Sequence, residues 1–143
     1  MERWAKDFDS WAVCDGTCLY LFRKTPFAHR KCREWSSRGE EFAKRAGFAL
    51  MTYLVVHAKK APDEAFLAFL PLIEREAVDE RPMVSKAVNW ALRQIGKRNR
   101  RLSRAAIKTA EAIRRLDSRS ARWIASDALR ELRSEAVQRR LKP

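Results

Sequence analysis

The sequence is poor in the residues that build sheets and tight turns. Its 143 residues include four glycines and five prolines, and β-branched residues do not form runs, so the composition favours helices over strands. The longest apolar stretch, residues 46–56, covers 11 residues, which is too short to cross a bilayer. Residues 1–9 are charged and lack an apolar core, so we expect no secretion signal. With three cysteines and no such signal, we expect reduced thiols and a cytoplasmic, nucleoid-associated protein.

The composition otherwise describes a basic globular protein. A hydrophobic content of 46% excludes disorder, and the length predicts a single domain over residues 1–143. The net charge of +13 is unevenly distributed, because residues 97–143 hold 15 Lys and Arg against 5 acids. Residues 63–81 hold six acids and two bases. Such asymmetry indicates a polyanionic partner. A membrane surface fits less well, because the basic segments carry few bulky apolar residues opposite their charges.

The hydrophobic pattern has the helical period throughout. It predicts helices over residues 10–23, 26–35, 40–59, 61–78, 83–98, 102–116 and 118–141. On the last three helices the apolar spacing predicts core faces of Val84, Val88, Ala91 and Ile95; Leu102, Ala106, Ala110 and Ile113; and Ala121, Ile124, Ala128 and Leu132, with Arg119, Arg122, Arg130 and Arg133 exposed on the last helix. An Ala-Leu pair recurs at residues 49–50, 91–92 and 128–129, at spacings of 42 and 37. A period near ~40 residues is typical of HEAT-type helical pairs, which stack into a curved solenoid. We therefore predict an all-α, HEAT-like superhelix.

Trp11 and Asp15 form the first candidate site. Asp9 or Ser10 can cap the predicted helix, and Trp11 and Asp15 then lie four residues apart on one face. A ring face beside a carboxylate suits a pocket for a cation-like sugar or base. The alternative is a half-buried Trp beside a solvated Asp.

Two later helices carry further candidates. Arg45 lies at the start of an otherwise apolar helix, where it can pair with Glu41 or grip a phosphate. On the helix after residue 82, basic residues surround Trp90, as is typical of nucleic-acid faces. Alternatively, Trp90 fills a groove between helices while the lysines and arginines snorkel around it. The basic residues that we predict to bind DNA are Lys44, Lys86, Arg93 and Lys97.

Three spaced motifs carry a family resemblance. They are Ser10-Trp-Ala-Val-Cys-Asp15, Phe42-Ala-Lys-Arg-Ala-Gly47, and Lys86-Ala-Val-Asn-Trp-Ala-Leu-Arg93 with Gly96-Lys97. In this order they resemble the AlkD-like DNA alkylation repair proteins, which are HEAT-like solenoids that act as glycosylases on alkylated purines. The resemblance implies a catalytic set of Trp11, Asp15, Arg45 and Trp90. Family members carry further helical pairs before the first motif, so we expect this chain to lack them.

The resemblance also implies a reaction. Alkylation at N3 or N7 makes a purine cationic and a good leaving group, and the transition state resembles an oxocarbenium ion. Asp15 would stabilise that charge, the rings of Trp11 and Trp90 would pack on the deoxyribose, and Arg45 would hold a phosphate. The implied partner is double-stranded DNA containing alkylated bases. No metal, other cofactor, membrane or obligate protein partner is implied.

The sequence offers two other functional interpretations. The Cys14-x3-Cys18 and His29-x2-Cys32 spacings offer soft metal ligands, but they do not match a usual zinc site. A non-catalytic, basic HEAT-like module that binds DNA, RNA or an acidic protein is the main alternative. Asp15 distinguishes the glycosylase from the non-catalytic module, because in a protein that only binds DNA a carboxylate facing phosphates would weaken the binding.

Overall fold

The computed structural model describes residues 28–58 and 61–141, and over these ranges the chain forms α-helices and no strand. The helices are α1 (Ala28–Ser36), α2 (Glu41–His57), α3 (Asp63–Leu67), α4 (Leu70–Glu76), α5 (Pro82–Gly96), α6 (Arg100–Arg114), α7 (Arg119–Leu132) and α8 (Glu135–Arg140). The predicted helix over residues 10–23 lies outside these ranges, as do Trp11 and Asp15.

The helices pack in two layers. In one layer α5 lies between α2 and α7, and in the other α4 lies between α1 and α6. Helix α1 also packs on α2, and α6 packs on α7, so the chain passes back and forth between the layers, with α3 and α4 both packed on α6. The prediction of an all-α fold is confirmed, and the packing is consistent with a solenoid of stacked helical pairs.

Polar contacts between neighbouring pairs follow the predicted period. They join residues separated by 32 positions, as in Lys44–Glu76, up to 43 positions, as in Ser120–Ala77. Each pair thus bonds to the next pair at a spacing of about one repeat, which is how a solenoid distributes its stability. The Ala-Leu pairs of the repeat lie on α2, α5 and α7, and all six residues are buried.

The predicted core faces of α5, α6 and α7 are confirmed. Their apolar residues form one continuous cluster with those of the earlier helices. The buried residues predicted from spacing were Val84, Val88, Ala91, Ile95, Leu102, Ala106, Ala110, Ile113, Ala121, Ile124, Ala128 and Leu132, and each is fully buried. No helix in the described ranges combines the length and hydropathy that a membrane span needs.

Two predicted helices were wrong in extent. The segment predicted as one helix over residues 61–78 divides into α3 and α4, with Pro71 in the first turn of α4. Proline has no N–H, so it cannot donate to the carbonyl of Leu67 and continue the helix. The helix predicted over residues 118–141 ends at Leu132, because Ser134 is extended and its hydroxyl accepts from the N–H of Val137 to start α8.

Candidate functional site

Arg45 connects α2 to α5. It lies in the first turns of α2 with only 3% of its surface exposed. Its Nη1 donates to the carbonyl of Met83, at the start of α5, over 3.1 Å. A buried guanidinium needs acceptors for its N–H groups, and the Met83 carbonyl supplies one. Arg45 therefore places a fixed cation at the junction where these two helices begin.

Trp90 lies on the same side of α5 as Met83. The two residues are seven positions apart on this helix, so they share a face and are separated by about 10 Å along its axis. The ring of Trp90 is half-buried, which leaves part of it accessible. The structure thus places Arg45 and Trp90, the two described members of the predicted catalytic set, on neighbouring helices. Their convergence with Trp11 and Asp15 stays a prediction.

Arg93 and Lys97 tie α5 to α7. Arg93 Nη1 and Lys97 Nζ each lie 2.8 Å from a carboxylate oxygen of Glu131. Arg93 also donates to Asn89 Oδ1 at 2.7 Å and lies 3.7 Å from Asp127. Partial burial alone would raise the pKa of Glu131, but the two cations outweigh it and hold that pKa below its usual value. The side chains of Arg93 and Lys97, which we predict to contact DNA, are therefore bound to a carboxylate of α7.

Lys44 belongs to a second network. Only 8% of its surface is exposed, and its Nζ lies 2.7 Å from Glu76 and 2.9 Å from Asp79. Burial disfavours its charge, yet the two carboxylates outweigh burial and raise the pKa of Lys44. Its predicted contact with DNA is untested, and its ammonium is held by protein carboxylates. Lys86, by contrast, is exposed on α5.

Trp123 is a candidate that the sequence reasoning missed. It lies on α7 and is 45% exposed, which is unusual for so large an apolar side chain. The residues one turn before it and two turns after it on the same face are Arg119 and Arg130, both exposed. This is the aromatic-among-basic pattern recognised around Trp90, and the same spacing rule would have found it.

An open pocket of about 570 Å³ lies where α2 and α5 end. Its three cations bond within the fold: Lys97 binds Glu131, Arg98 donates to the carbonyls of Val55, Ala58 and Ala61, and Arg140 donates to the carbonyl of Ala136. The guanidinium of Arg98 also lies 4.4 Å from the ring centre of Phe66. The pocket is lined by Val55, Val56, Ala61, Asp63, Gln94, Lys97, Arg98, Asn99 and Arg140.

Potential metal ligands do not cluster in the described part of the chain. No group of three or more His, Cys, Asp or Glu residues there is arranged to hold a metal ion. Cys32 is buried in the core, and burial raises the pKa of its thiol, which disfavours the thiolate at neutral pH. Cys14, Cys18 and the His29 side chain lie outside the described residues.

Comparison with known proteins gives one result. The model of the family described as "DNA alkylation repair enzyme" matches residues 1–132. No curated protein and no solved structure matches the chain significantly. The matched range covers the segment of Trp11 and Asp15 as well as helices α1 to α7.

Proposed function

The chain belongs to the family of DNA alkylation repair enzymes, and from this premise we propose that it is a DNA glycosylase for N3- and N7-alkylated purines in duplex DNA. The observation that carries the proposal is the α2–α5 junction. There the buried Arg45 donates a hydrogen bond to the carbonyl of Met83, in the first turn of α5. Trp90 lies on the same face of α5 as Met83. A fixed cation about two helical turns along α5 from an accessible ring suits a DNA backbone, in which phosphates alternate with flat, weakly polar sugar faces.

The proposed reaction is hydrolysis of the bond between C1′ of the deoxyribose and the purine. The alkylated purine leaves with the bonding electron pair and becomes neutral, because it carried a positive charge before cleavage. The oxygen of a water molecule bonds to C1′ and loses one of its two protons to solvent, leaving a hydroxyl on the sugar. Positive charge accumulates on the sugar in between, so a nearby anion lowers the barrier.

We assign roles to the catalytic set on this basis. Asp15 stabilises the sugar cation and orients the water, and the rings of Trp11 and Trp90 pack on the sugar. Arg45 is assigned to hold a phosphate, as the family resemblance implies. Lys86 contacts the phosphate backbone. Arg93 and Lys97 also contact it, each exchanging its bond to Glu131 for a bond to a phosphate.

The test is single-turnover release of 7-methylguanine or 3-methyladenine from methylated duplex DNA. Asp15→Asn keeps the shape of the side chain and removes its charge, so we expect excision to slow about 100-fold or more. Duplex affinity should hold or rise, because a carboxylate near phosphates is repulsive. Asp117→Asn is the matched control, since Asp117 is an exposed carboxylate in the α6–α7 turn; it should leave excision unchanged.

Each failure has its own meaning. Equal excision by the Asp15→Asn and unmodified proteins would remove the catalytic role of Asp15. Tight duplex binding without any base release by the unmodified chain would instead support the non-catalytic module.

A further inference from the structure

Trp123 stands in a line of exposed basic residues on α7. Arg119, Arg122, Arg130 and Arg133 are exposed on the side of the helix opposite its buried alanines and leucines. We call Trp123 and these four arginines the α7 stripe. In the described part of the chain the exposed large apolar residues are Trp123, Val56 and Val78. An aromatic ring that remains exposed among guanidinium groups indicates a binding surface rather than a packing site.

The α7 stripe shares a surface with Trp90. Arg93 lies three residues after Trp90 on α5, and its Nε lies 3.7 Å from a carboxylate oxygen of Asp127 on α7. Asp127 lies four residues after Trp123, on the same side of α7. Since neighbouring helices pack 8–10 Å apart, the two rings lie roughly 10–15 Å from each other. Trp123 also follows Lys86 by 37 positions, the repeat spacing between α5 and α7, so it takes the place of the exposed Lys86 in the next repeat.

Charge selects the occupant of this surface. The α7 stripe carries four arginines. Three of them pair with acids, Arg122 with Asp117, Arg130 with Asp127 and Arg133 with Glu111, but each of these arginine side chains remains at least half exposed, so a partner can reach it. Together with Lys86 the α7 stripe extends the basic surface of α5 along the solenoid. Duplex DNA offers a matching line of phosphates with sugar faces between them.

We propose that Trp123 is a positioning residue that packs against the sugar–phosphate backbone of the duplex, outside the damaged nucleotide. The inference rests on the proposed function, since it places the lesion at the α2–α5 junction. With a rise of about 3.4 Å per base pair, the separation of the two rings puts this contact roughly three or four base pairs from the lesion. The ring adds sequence-independent contact area, and the arginines around it neutralise phosphates.

The first measurement is affinity for a 25-base-pair duplex containing one alkylated purine. Trp123→Ala should weaken binding about 10-fold, and Trp123→Phe should retain most of the affinity, because a smaller ring still packs on a sugar. Val78→Ala, which shortens an exposed apolar residue at the end of α4, is the matched control and should bind like the unmodified protein. Single-turnover excision with the enzyme saturating should stay within about twofold in all three variants, because Trp123 does not touch the reacting bond.

The second measurement locates the contact. Each arm of the duplex is shortened in turn until it ends two base pairs from the lesion. The loss caused by Trp123→Ala should disappear for one shortened arm and persist for the other. A loss that persists for both arms, or one accompanied by a lower melting temperature, would mean that the ring acts through the fold, and would overturn the proposal.

The remaining outcomes separate this inference from the proposed function. If the unmodified chain excises alkylated bases and Trp123→Ala binds duplex equally well, only the role of Trp123 fails. If Trp123→Ala changes sedimentation of the protein and not its duplex affinity, the α7 stripe binds protein and the inference is overturned. If the unmodified chain binds duplex but releases no base, the glycosylase proposal fails, while a Trp123 effect confined to one arm would still establish the contact.

Discussion

Gly47 is the residue of α2 that permits α1 to approach closely. A Cβ atom added to Gly47 would lie 2.6 Å from the backbone nitrogen of Ser36 and 3.1 Å from the carbonyl carbon of Trp35. Both neighbours are backbone atoms, so neither can move without shifting α1. The motif that includes Gly47 contributed to the family resemblance, and the structure gives this glycine a packing role.

We expect Gly47→Ala to destabilise the protein. Alanine in a helix is favoured over glycine by about 1 kcal/mol, but the clash with α1 should cost more, for a net loss of roughly 1–3 kcal/mol. Gly39→Ala is the control, because no atom lies within 4 Å of its added Cβ. Urea unfolding followed by circular dichroism measures both. A more stable Gly47→Ala protein would show that α1 does not pack this closely.

At the scale of single residues, the sequence predicted burial better than it predicted partners. The buried faces of α5, α6 and α7 follow from spacing, because the helical period fixes which residues face the core. The partners of Lys44, Arg93 and Lys97 do not follow from spacing. They lie more than 30 positions away, and a lysine bound to a carboxylate has the same sequence pattern as a solvated one. Trp123 was missed because the exposed face of its helix was predicted from its four arginines alone.

At the scale of helices, the predictions failed where local chemistry overrides periodicity. The apolar pattern continues through Pro71 and past Ser134, so it extended two helices that a missing N–H and a hydroxyl cap bring to an end. The repeat, in contrast, was predictable from the Ala-Leu spacing, because the same small-large pair is needed wherever α2, α5 and α7 pack side by side.

The network around Asp79 joins α2 to the α4–α5 turn and responds to pH in a defined direction. Arg81 donates to both carboxylate oxygens of Asp79, at 3.0 and 2.7 Å, and Lys44 adds a third bond at 2.9 Å. These bonds to Arg81 and Lys44 outweigh partial burial and hold the pKa of Asp79 well below its usual value. The pKa of Lys44 is raised, because the carboxylates of Glu76 and Asp79 outweigh the effect of burial.

The directions of these two pKa shifts predict a pH range over which the stability contributed by the network is constant. Because the pKa of Asp79 is lowered on folding, its contribution is present above about pH 4 and is lost as the pH falls through its folded value. Because the pKa of Lys44 is raised on folding, its contribution is complete below about pH 10 and is lost as the pH rises through its folded value. The free energy of unfolding from this network should therefore be constant between about pH 5 and pH 10.

Asp79→Asn tests the acid side of this plateau. At pH 7 we expect a loss of roughly 1–3 kcal/mol, since Lys44 and Arg81 lose a charged partner that is only partly screened by solvent. As the pH falls below 4 toward the lowered pKa of Asp79, the variant and the unmodified protein should progressively converge in stability. Asp117→Asn, at an exposed carboxylate, should show neither effect. Parallel pH profiles for Asp79→Asn and the unmodified protein would contradict the assigned network.

At the scale of the whole molecule, the net charge of +13 already subtracts the acids, so ion pairing decides which cations are left for a partner and not how large the excess is. Several basic residues bind acids of a neighbouring helical pair: Lys44 binds Glu76, Arg101 binds Glu64, and Glu131 holds two cations of α5. These pairs connect successive repeats. The same residues therefore contribute to the stability of the stack and determine which positive charges its surface presents to DNA.

Glu131→Gln should separate these two contributions. The substitution frees Arg93 and Lys97 on the surface that carries Trp90, so duplex affinity should rise several-fold at low salt. The slope of log affinity against log salt should steepen by up to about 0.9 for each new phosphate contact. Stability should fall by about 1 kcal/mol, because a partly exposed ion-pair cluster between α5 and α7 is lost.

Glu64→Gln is the matched control: it removes the same charge, but its partner Arg101 lies at the start of α6, in the other layer. Duplex binding by salt titration and urea unfolding of both variants provide the measurements. Equal gains in affinity for the two variants would show that total charge governs binding, and would remove Arg93 and Lys97 from the DNA-contacting surface.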